Sequence, residues 1–296
     1  MLSFQNLYDE SAEQVQDSSA TTLILIKRAI NQGAKKFGAI LNREWRNTEK
    51  TFSTVASQQY YQTPEDCIRI KSITITIGGV AYPLTEIADE ETWKVVNMRT
   101  QTSATPEYYY VKDDDQYGIW PIPASSVASA GLLNYERRMR DMSQADYTTG
   151  TITVTNGSAA VVGSGTSWTA RMVGKHLKIN DDAGDGMWYA ISSFTDATNI
   201  TLENTYAGSS ASAQSYAIGE LPDIPEEFHE SLIDYACYRV YRRRRDNTLA
   251  RDMKASFDQS LSECMADYSS KSSSQYYRKP RLRRGYYHLR RDLTIT

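Results

Sequence analysis

Residues 148–219 constrain the fold more than any other part of the chain. They contain nine glycines, twenty serines and threonines, no proline and three basic residues. Short segments that alternate apolar and polar side chains are separated by turn-forming residues, a pattern typical of small all-β barrels and sandwiches. Because helical patterns precede and follow this stretch, the sequence predicts an all-β module, the β module, inserted into a host fold.

Two segments with helical periodicity flank the β module. The first covers residues 21–46, where apolar residues recur at steps of three and four and so share one helical face. These residues are Leu23, Ile26, Ile30, Ala34, Phe37, Leu41 and Trp45. The second stripe runs through residues 225–268 and is interrupted by Arg242–Arg245. The interruption predicts either a helical hairpin or one bent helix.

Residues 51–138 carry strand patterns. β-branched residues alternate from Ile68 to Ile77, with a slip in the alternation near Lys71. Gly78-Gly79 then turns the chain towards Val80, which predicts a β hairpin. We expect this region to add hairpins to the helical host.

The predicted fold class is α+β. It consists of a helical bundle with a small mixed β region, an inserted all-β barrel or sandwich, and an extended basic C-terminal tail. We assign residues 1–147 and 220–268 to the host, 148–219 to the β module and 269–296 to the tail. A chain of 296 residues is long enough for about two domains of ordinary size.

No recognised catalytic motif is present in the sequence. The histidines, His176, His229 and His288, are far apart and lack a nucleophile motif. Three widely spaced cysteines without a CxxC pair argue against a disulfide scaffold or zinc site, and the acidic loop 180–186 lacks EF-hand spacing. We therefore predict no enzyme and no catalytic, cofactor or metal site. No apolar run approaches the ~20 residues of a membrane helix, and no secretory signal follows Met1, so no membrane partner is expected.

The net charge of −3 hides an uneven distribution. Residues 239–296 hold 15 basic and 6 acidic residues, whereas residues 1–238 hold 18 basic and 30 acidic ones. Basic residues and tyrosines alternate in the tail, which suits nucleic acid or an acidic protein groove. The candidate partner-binding residues are Tyr276, Tyr277, Arg278, Lys279, Arg281, Arg283, Arg284, Tyr286, Tyr287, Arg290, Arg291, Leu293 and Ile295. The run Arg242, Arg243, Arg244 and Arg245 is predicted to face a neighbouring subunit or DNA.

The order of the elements resembles the head-to-tail adaptor (connector) proteins of tailed bacteriophages. The resemblance rests on the helix Leu23–Trp45, on Pro106–Tyr110 followed by Gly118–Pro123, and on the paired helices of residues 222–267. The β module, which contains Gly163–Trp168, resembles a module inserted in various phage tail proteins. Together these parts cover most of the chain.

This resemblance implies a structural virion protein that is assembled in the host cytoplasm. Members of the family form a ring, usually of about twelve copies. The ring joins the portal protein to tail or nozzle proteins, and tail fibres are a further candidate partner. Genomic DNA then passes through the channel without sequence-specific binding.

Other function classes remain open. The basic tail and Arg242–Arg245 also fit a nucleic-acid-binding protein, whose binding would be sensitive to salt. A β module that binds glycans or a host surface, as in a fibre or baseplate component, would cluster exposed aromatic residues such as Trp168 or Trp188 on one face. An enzyme is the remaining class. The polar–apolar alternation of residues 292–296 favours a strand that docks on a sheet edge of the portal over a purely electrostatic DNA tail.

Overall fold

The computed structural model describes residues 1–41, 46–99, 101, 105–113, 115–180 and 184–269. In these residues the strands form three sheets of four, seven and four strands. The helices are α1 (Phe4–Gln14), α2 (Ala20–Ile40), α3 (Glu90–Asn97), α4 (Ser231–Arg244) and α5 (Asn247–Cys264). The strands are β1 (Asn47–Thr54), β2 (Tyr60–Gln62), β3 (Cys67–Ile77), β4 (Val80–Pro83), β5 (Thr85–Glu86), β6 (Tyr108–Asp113), β7 (Gln116–Trp120), β8 (Val127–Arg137), β9 (Thr151–Val154), β10 (Ala160–Ser164), β11 (His176–Ile179), β12 (Tyr189–Asp196), β13 (Asn199–Leu202), β14 (Ala211–Gln214) and β15 (Tyr216–Gly219).

The chain is α+β, but the prediction of a helical bundle with a small β region is wrong. Strands organise residues 47–137, where two four-stranded sheets bury a common core between them. A strand pattern shows that one face of a strand is buried, but it does not show which layer covers that face. In this region the covering layer is a second sheet, so the β part is much larger than expected.

The first four-stranded sheet has the antiparallel order β1-β8-β3-β4. Its register slips between Ile70 and Ser72, which confirms the irregularity that the sequence showed near Lys71. Gly78 and Gly79 have φ angles of 57° and 82°, which favour glycine and close the predicted β3–β4 hairpin. Within the described sheet, β4 pairs with β3 alone and is therefore an edge strand.

The second four-stranded sheet, with the order β2-β7-β6-β5, packs against the first. Ile73 and Leu133 of the first sheet share a core with Tyr109 and Tyr117 of the second. Helix α3 covers the other face, and the Trp93 indole stacks on the Tyr110 ring with 5.4 Å between centroids. The region is thus layered as sheet, sheet and short helix.

Helices α1, α2, α4 and α5 share a separate core. The Phe37 ring of α2 stacks on Phe228 at 5.5 Å and meets Phe257 of α5 edge-on at 5.4 Å, between ring centroids. A Cβ atom at Gly33 would lie 3.1 Å from Leu232, so this glycine permits close approach of α2 and α4. The left-handed backbone of Arg245, with φ of 62°, ends α4 and resolves the second stripe into two helices.

The β module contains an antiparallel sheet in the order β14-β9-β10-β13-β12-β11-β15. Six of its seven strands contribute side chains to a single core, so the sheet curls into a half-barrel. Inside, the indole N–H of Trp168 donates to the Tyr216 hydroxyl at 2.9 Å, and that hydroxyl donates to the carbonyl oxygen of Thr149 at 2.7 Å.

Candidate interaction surfaces

The candidate partner-binding residues of the tail lie outside the described part of the chain. They are Tyr276, Tyr277, Arg278, Lys279, Arg281, Arg283, Arg284, Tyr286, Tyr287, Arg290, Arg291, Leu293 and Ile295. Their contact with a partner stays a prediction. The described chain ends at Ser269, directly after Tyr268, and these residues mark where the tail begins.

Arg244 binds within its own chain. Its guanidinium donates to the carbonyl oxygen of Val15 at 2.8 Å, at the end of α1, and pairs with Asp17 at 2.7 Å. The backbone N–H of Ser19 makes the largest contribution to holding the pKa of Asp17 well below its usual value, followed by the Ser19 and Thr22 side chains and by Arg244. This arginine therefore joins the end of α4 to the loop between α1 and α2.

The other arginines of the run stand in solvent at the end of α4. Arg242 donates to the hydroxyl of Tyr238, one helical turn earlier, at 3.1 Å. Arg243 and Arg245 are exposed. These three guanidinium groups form a basic surface at one end of the helical layer, and their predicted contact with DNA or a neighbouring subunit stays a prediction.

An acidic groove of about 570 Å³ lies between α1, α4 and α5. Its lining contains five carboxylates and no lysine or arginine. The carboxylates belong to Glu10, Glu13, Glu227, Glu230 and Asp234. The groove also contains Ser256 and Ser260, which α5 contributes. A surface of this charge attracts a basic ligand and repels phosphate.

Sequence reasoning missed the acidic groove. Glu10 and Glu13 are three residues apart, and Glu227, Glu230 and Asp234 follow steps of three and four. Each set shares one helical face, which was the available signal. Neither set showed that α1 packs beside α4, because more than 200 residues separate them in the sequence.

The hydroxyl of Tyr268 donates to the carboxylate of Glu227 at the rim of the acidic groove. This bond lowers the pKa of Glu227 and, together with burial, raises the pKa of Tyr268 to about 12. At neutral pH the phenol therefore keeps its proton and the carboxylate keeps its charge. The pair fixes the end of the described chain beside the groove.

The β3–β4 hairpin exposes apolar side chains. Ile77, Val80 and Tyr82 are 40%, 53% and 43% exposed, and Val127 on the neighbouring β8 is 45% exposed. We call these four residues the apolar hairpin patch. An adjacent groove of about 210 Å³ includes Ile77, Val127 and Pro106 in its lining. Exposed apolar side chains on an edge hairpin are typical of a surface that another polypeptide covers.

One ion pair joins the β module to the host: Lys175 of the module pairs with Glu220 at 3.4 Å. Beside it, Arg137 and Asp223 of the host pair with each other at 2.7 Å. His176 lies in the same cleft with its Nδ1 atom buried and without a hydrogen-bond partner among the described residues. Burial lowers the pKa of His176 and favours the neutral imidazole. The junction is therefore a partly buried polar contact.

The described thiols and imidazoles occupy packing positions. Cys67, Cys237 and Cys264 are buried, and burial raises the pKa of Cys237 to about 12 and that of Cys264 to about 11. The His229 Nδ1 accepts from the backbone N–H of Leu2 at 3.2 Å, while Nε2 lies 3.1 Å from the Ile224 carbonyl oxygen. A buried thiol that keeps its proton is a poor nucleophile, and backbone groups engage both ring nitrogens of His229.

The described residues were also compared with three other kinds of site: an exposed aromatic surface, a metal site and a membrane-spanning helix. Trp168 is 2% exposed, and the indole N–H of Trp188 donates to the Met1 carbonyl oxygen at 3.3 Å, so these two rings do not form an open aromatic platform. Among the described residues, no group of histidine, cysteine, aspartate and glutamate side chains is arranged to hold a metal ion. No described helix is both long and apolar enough to cross a membrane.

The described surface thus combines a basic end, an acidic groove and an exposed apolar hairpin on a layered α+β scaffold. Residues 2–162 match the family model of the SU10 adaptor protein, and this match spans 161 of the 296 residues. The chain therefore belongs to the SU10 adaptor protein family. This match confirms the resemblance to phage head-to-tail adaptors and identifies the chain as a phage structural adaptor. The matched region ends at residue 162, within β10 of the β module. No curated protein matches the chain.

Proposed function

We propose that this adaptor forms a ring in the virion that joins the portal protein to the tail. The observation that carries the proposal is membership of the adaptor family. A closed ring needs two complementary surfaces on each subunit, and an adaptor needs further surfaces for the components above and below it. The apolar hairpin patch, the acidic groove and the exposed arginines are three chemically different surfaces of this kind.

By the same resemblance, the ring contains about twelve copies, and genomic DNA crosses its channel without sequence-specific binding. The portal lies on one side, and tail or nozzle proteins lie on the other, with tail fibres as a further partner. We propose three functional divisions of the chain: the host (1–147 and 220–268), the β module (148–219) and the tail (269–296). Electron microscopy of the purified protein mixed with its portal tests the central claim, because rings seated on the portal are expected.

We assign the ring contact to the apolar hairpin patch. Edge strand β4 presents backbone groups to a neighbouring strand, and the exposed Val80 and Tyr82 would be covered in the same contact. The double variant Val80→Asp/Tyr82→Asp should abolish rings while leaving the circular dichroism spectrum unchanged. Val162→Asp is the matched control, because Val162 is also an exposed valine on a strand, at 48%. Normal rings from the double variant would exclude this contact.

We assign the portal contact to the tail. Its last residues, 292–296, alternate polar and apolar side chains, which suits addition of a strand to a sheet edge of the portal. Deletion of 292–296 should weaken assembly on the portal although every candidate arginine of the tail remains. Unchanged assembly would contradict the strand contact.

A nucleic-acid-binding function is the alternative, favoured by the exposed Arg242 and Arg243 and by the basic tail. It predicts DNA binding by the isolated protein that weakens steeply with salt. Deletion of 275–291 would then weaken DNA binding, whereas deletion of 292–296 would leave it unchanged. That pair of results would favour the alternative over the portal contact.

A further inference from the structure

The acidic groove and the start of the tail lie together. Ser256 and Ser260 of α5 line the groove, and the chain continues from α5 to Tyr268. The Tyr268 ring packs edge-on against Phe228 with 6.2 Å between centroids, and its hydroxyl binds the groove carboxylate Glu227. These two contacts hold the last described residues at the rim of the groove.

The groove carboxylates lack cationic partners within the described chain. None of the five forms an ion pair there. Two acids outside the groove show the alternative, because Asp17 pairs with Arg244 and Asp223 pairs with Arg137, both at 2.7 Å. Carboxylates that line one depression repel each other, and a ligand that carries several positive charges relieves that repulsion.

Residues 275–291 have the complementary chemistry. They contain seven basic residues, four tyrosines and no acidic residue. The groove wall includes Ile233 and Gln14 beside the carboxylates, so it offers apolar and amide surface as well as charge. Arginine and tyrosine are the side chains that bind best to such mixed surfaces.

We propose that residues 275–291 of the same chain dock along the acidic groove in the free subunit. Only residues 270–274 separate this segment from Ser269, and five extended residues span at most about 18 Å. A linker this short holds the tail at an effective concentration of millimolar order near the groove. The tail of a neighbouring copy does not reach that concentration in dilute solution. The docking does not depend on ring formation. Its consequence, that the tail is withheld until assembly on the portal releases it, rests on the proposed function.

Tryptic cleavage of the full-length subunit tests the docking without any portal. In a Lys271→Gln background, which removes the tryptic site in the linker, trypsin cuts a released tail after Arg281, and the cleavage rate follows the released fraction. The variant Glu10→Gln/Glu13→Gln/Glu230→Gln should release the tail and speed this cleavage on the order of tenfold. High salt should bring the original protein to the same rate, because it screens the contact.

The matched control removes three exposed carboxylates outside the groove, in Glu65→Gln/Glu107→Gln/Glu203→Gln. Its cleavage rate should equal that of the original protein. Equal rates for the original protein and both variants would overturn the proposal. Faster cleavage in both variants would show a general charge effect and would overturn it as well.

Zero-length carbodiimide cross-linking identifies the occupant of the groove. In the original protein, cross-links from Lys279 to Glu10, Glu13 or Glu230 are expected. An equal mixture of nitrogen-15-labelled and unlabelled chains should give links within one isotopic composition only. Mixed links would assign the groove to the tail of a neighbouring copy, and absence of Lys279 links would show that the tail lies elsewhere; either result refutes docking within the chain. Failure of ring assembly on the portal would leave these expectations unchanged.

Discussion

Truncation of Phe257 should destabilise the helical layer more than any surface change in the same helix. The side chain is 1% exposed, lies edge-on to Phe37 at 5.4 Å and packs on Tyr235 at 4.7 Å, between ring centroids. Phenylalanine-to-alanine changes at fully buried sites cost about 3–5 kcal/mol. Because two aromatic contacts, worth about 0.5–1.5 kcal/mol each, are lost with the transfer energy, we expect about 4 kcal/mol for Phe257→Ala.

Urea unfolding followed by circular dichroism at 222 nm measures this cost, because that signal reports the helices rather than the β module. Leu249→Ala is the control, since Leu249 is on the same helix but is 41% exposed. Its cost should stay below about 1 kcal/mol. A cost for Phe257→Ala no larger than that of the control would show that α5 does not depend on the shared core.

Three further predictions concern the β module and His229. The β module should be replaceable by a short Gly/Ser linker, because Tyr147 and Ile218 exchange two backbone hydrogen bonds of 2.9 Å and so bring its ends together; non-cooperative thermal unfolding of the shortened protein would contradict this. Trp168→Phe removes the buried bond to Tyr216 and should cost about 1–3 kcal/mol, measured by near-ultraviolet circular dichroism during thermal unfolding. Burial makes the largest contribution to lowering the folded-state pKa of His229, so the unfolded state binds more protons and stability should fall as pH drops below about 6.5. His229→Gln should reduce that acid sensitivity, and an identical pH profile would oppose it.

Local features of the fold could be predicted because neighbouring residues determine them. The Gly78-Gly79 turn, the slip near Lys71 and the start of α2 depend on a few adjacent positions. The two-sheet core of residues 47–137 could not, because Tyr109 and Tyr117 meet Ile73 only after two sheets have formed. Periodicity shows the buried face of each strand, and the long-range packing that covers this face is decided by the whole chain.

The candidate surfaces show the same division. The basic run at the end of α4 could be found from its composition, yet the role of Arg244 depends on Asp17, 227 residues away. Four consecutive arginines are visible in the sequence without any knowledge of the fold. The acidic groove was missed because its carboxylates come from α1, from the turn that precedes α4 and from α4 itself, and they converge only in the folded chain.

The three buried cysteines make this protein suited to site-directed labelling. The residues Cys67, Cys237 and Cys264 are 7%, 0% and 0% exposed, and burial raises the pKa of each thiol. A maleimide reacts with the thiolate, which these residues seldom form or present at neutral pH. A single cysteine introduced on the surface would therefore carry a fluorophore alone, without removal of the native thiols, and pairs of such probes could follow the β module relative to the host during assembly.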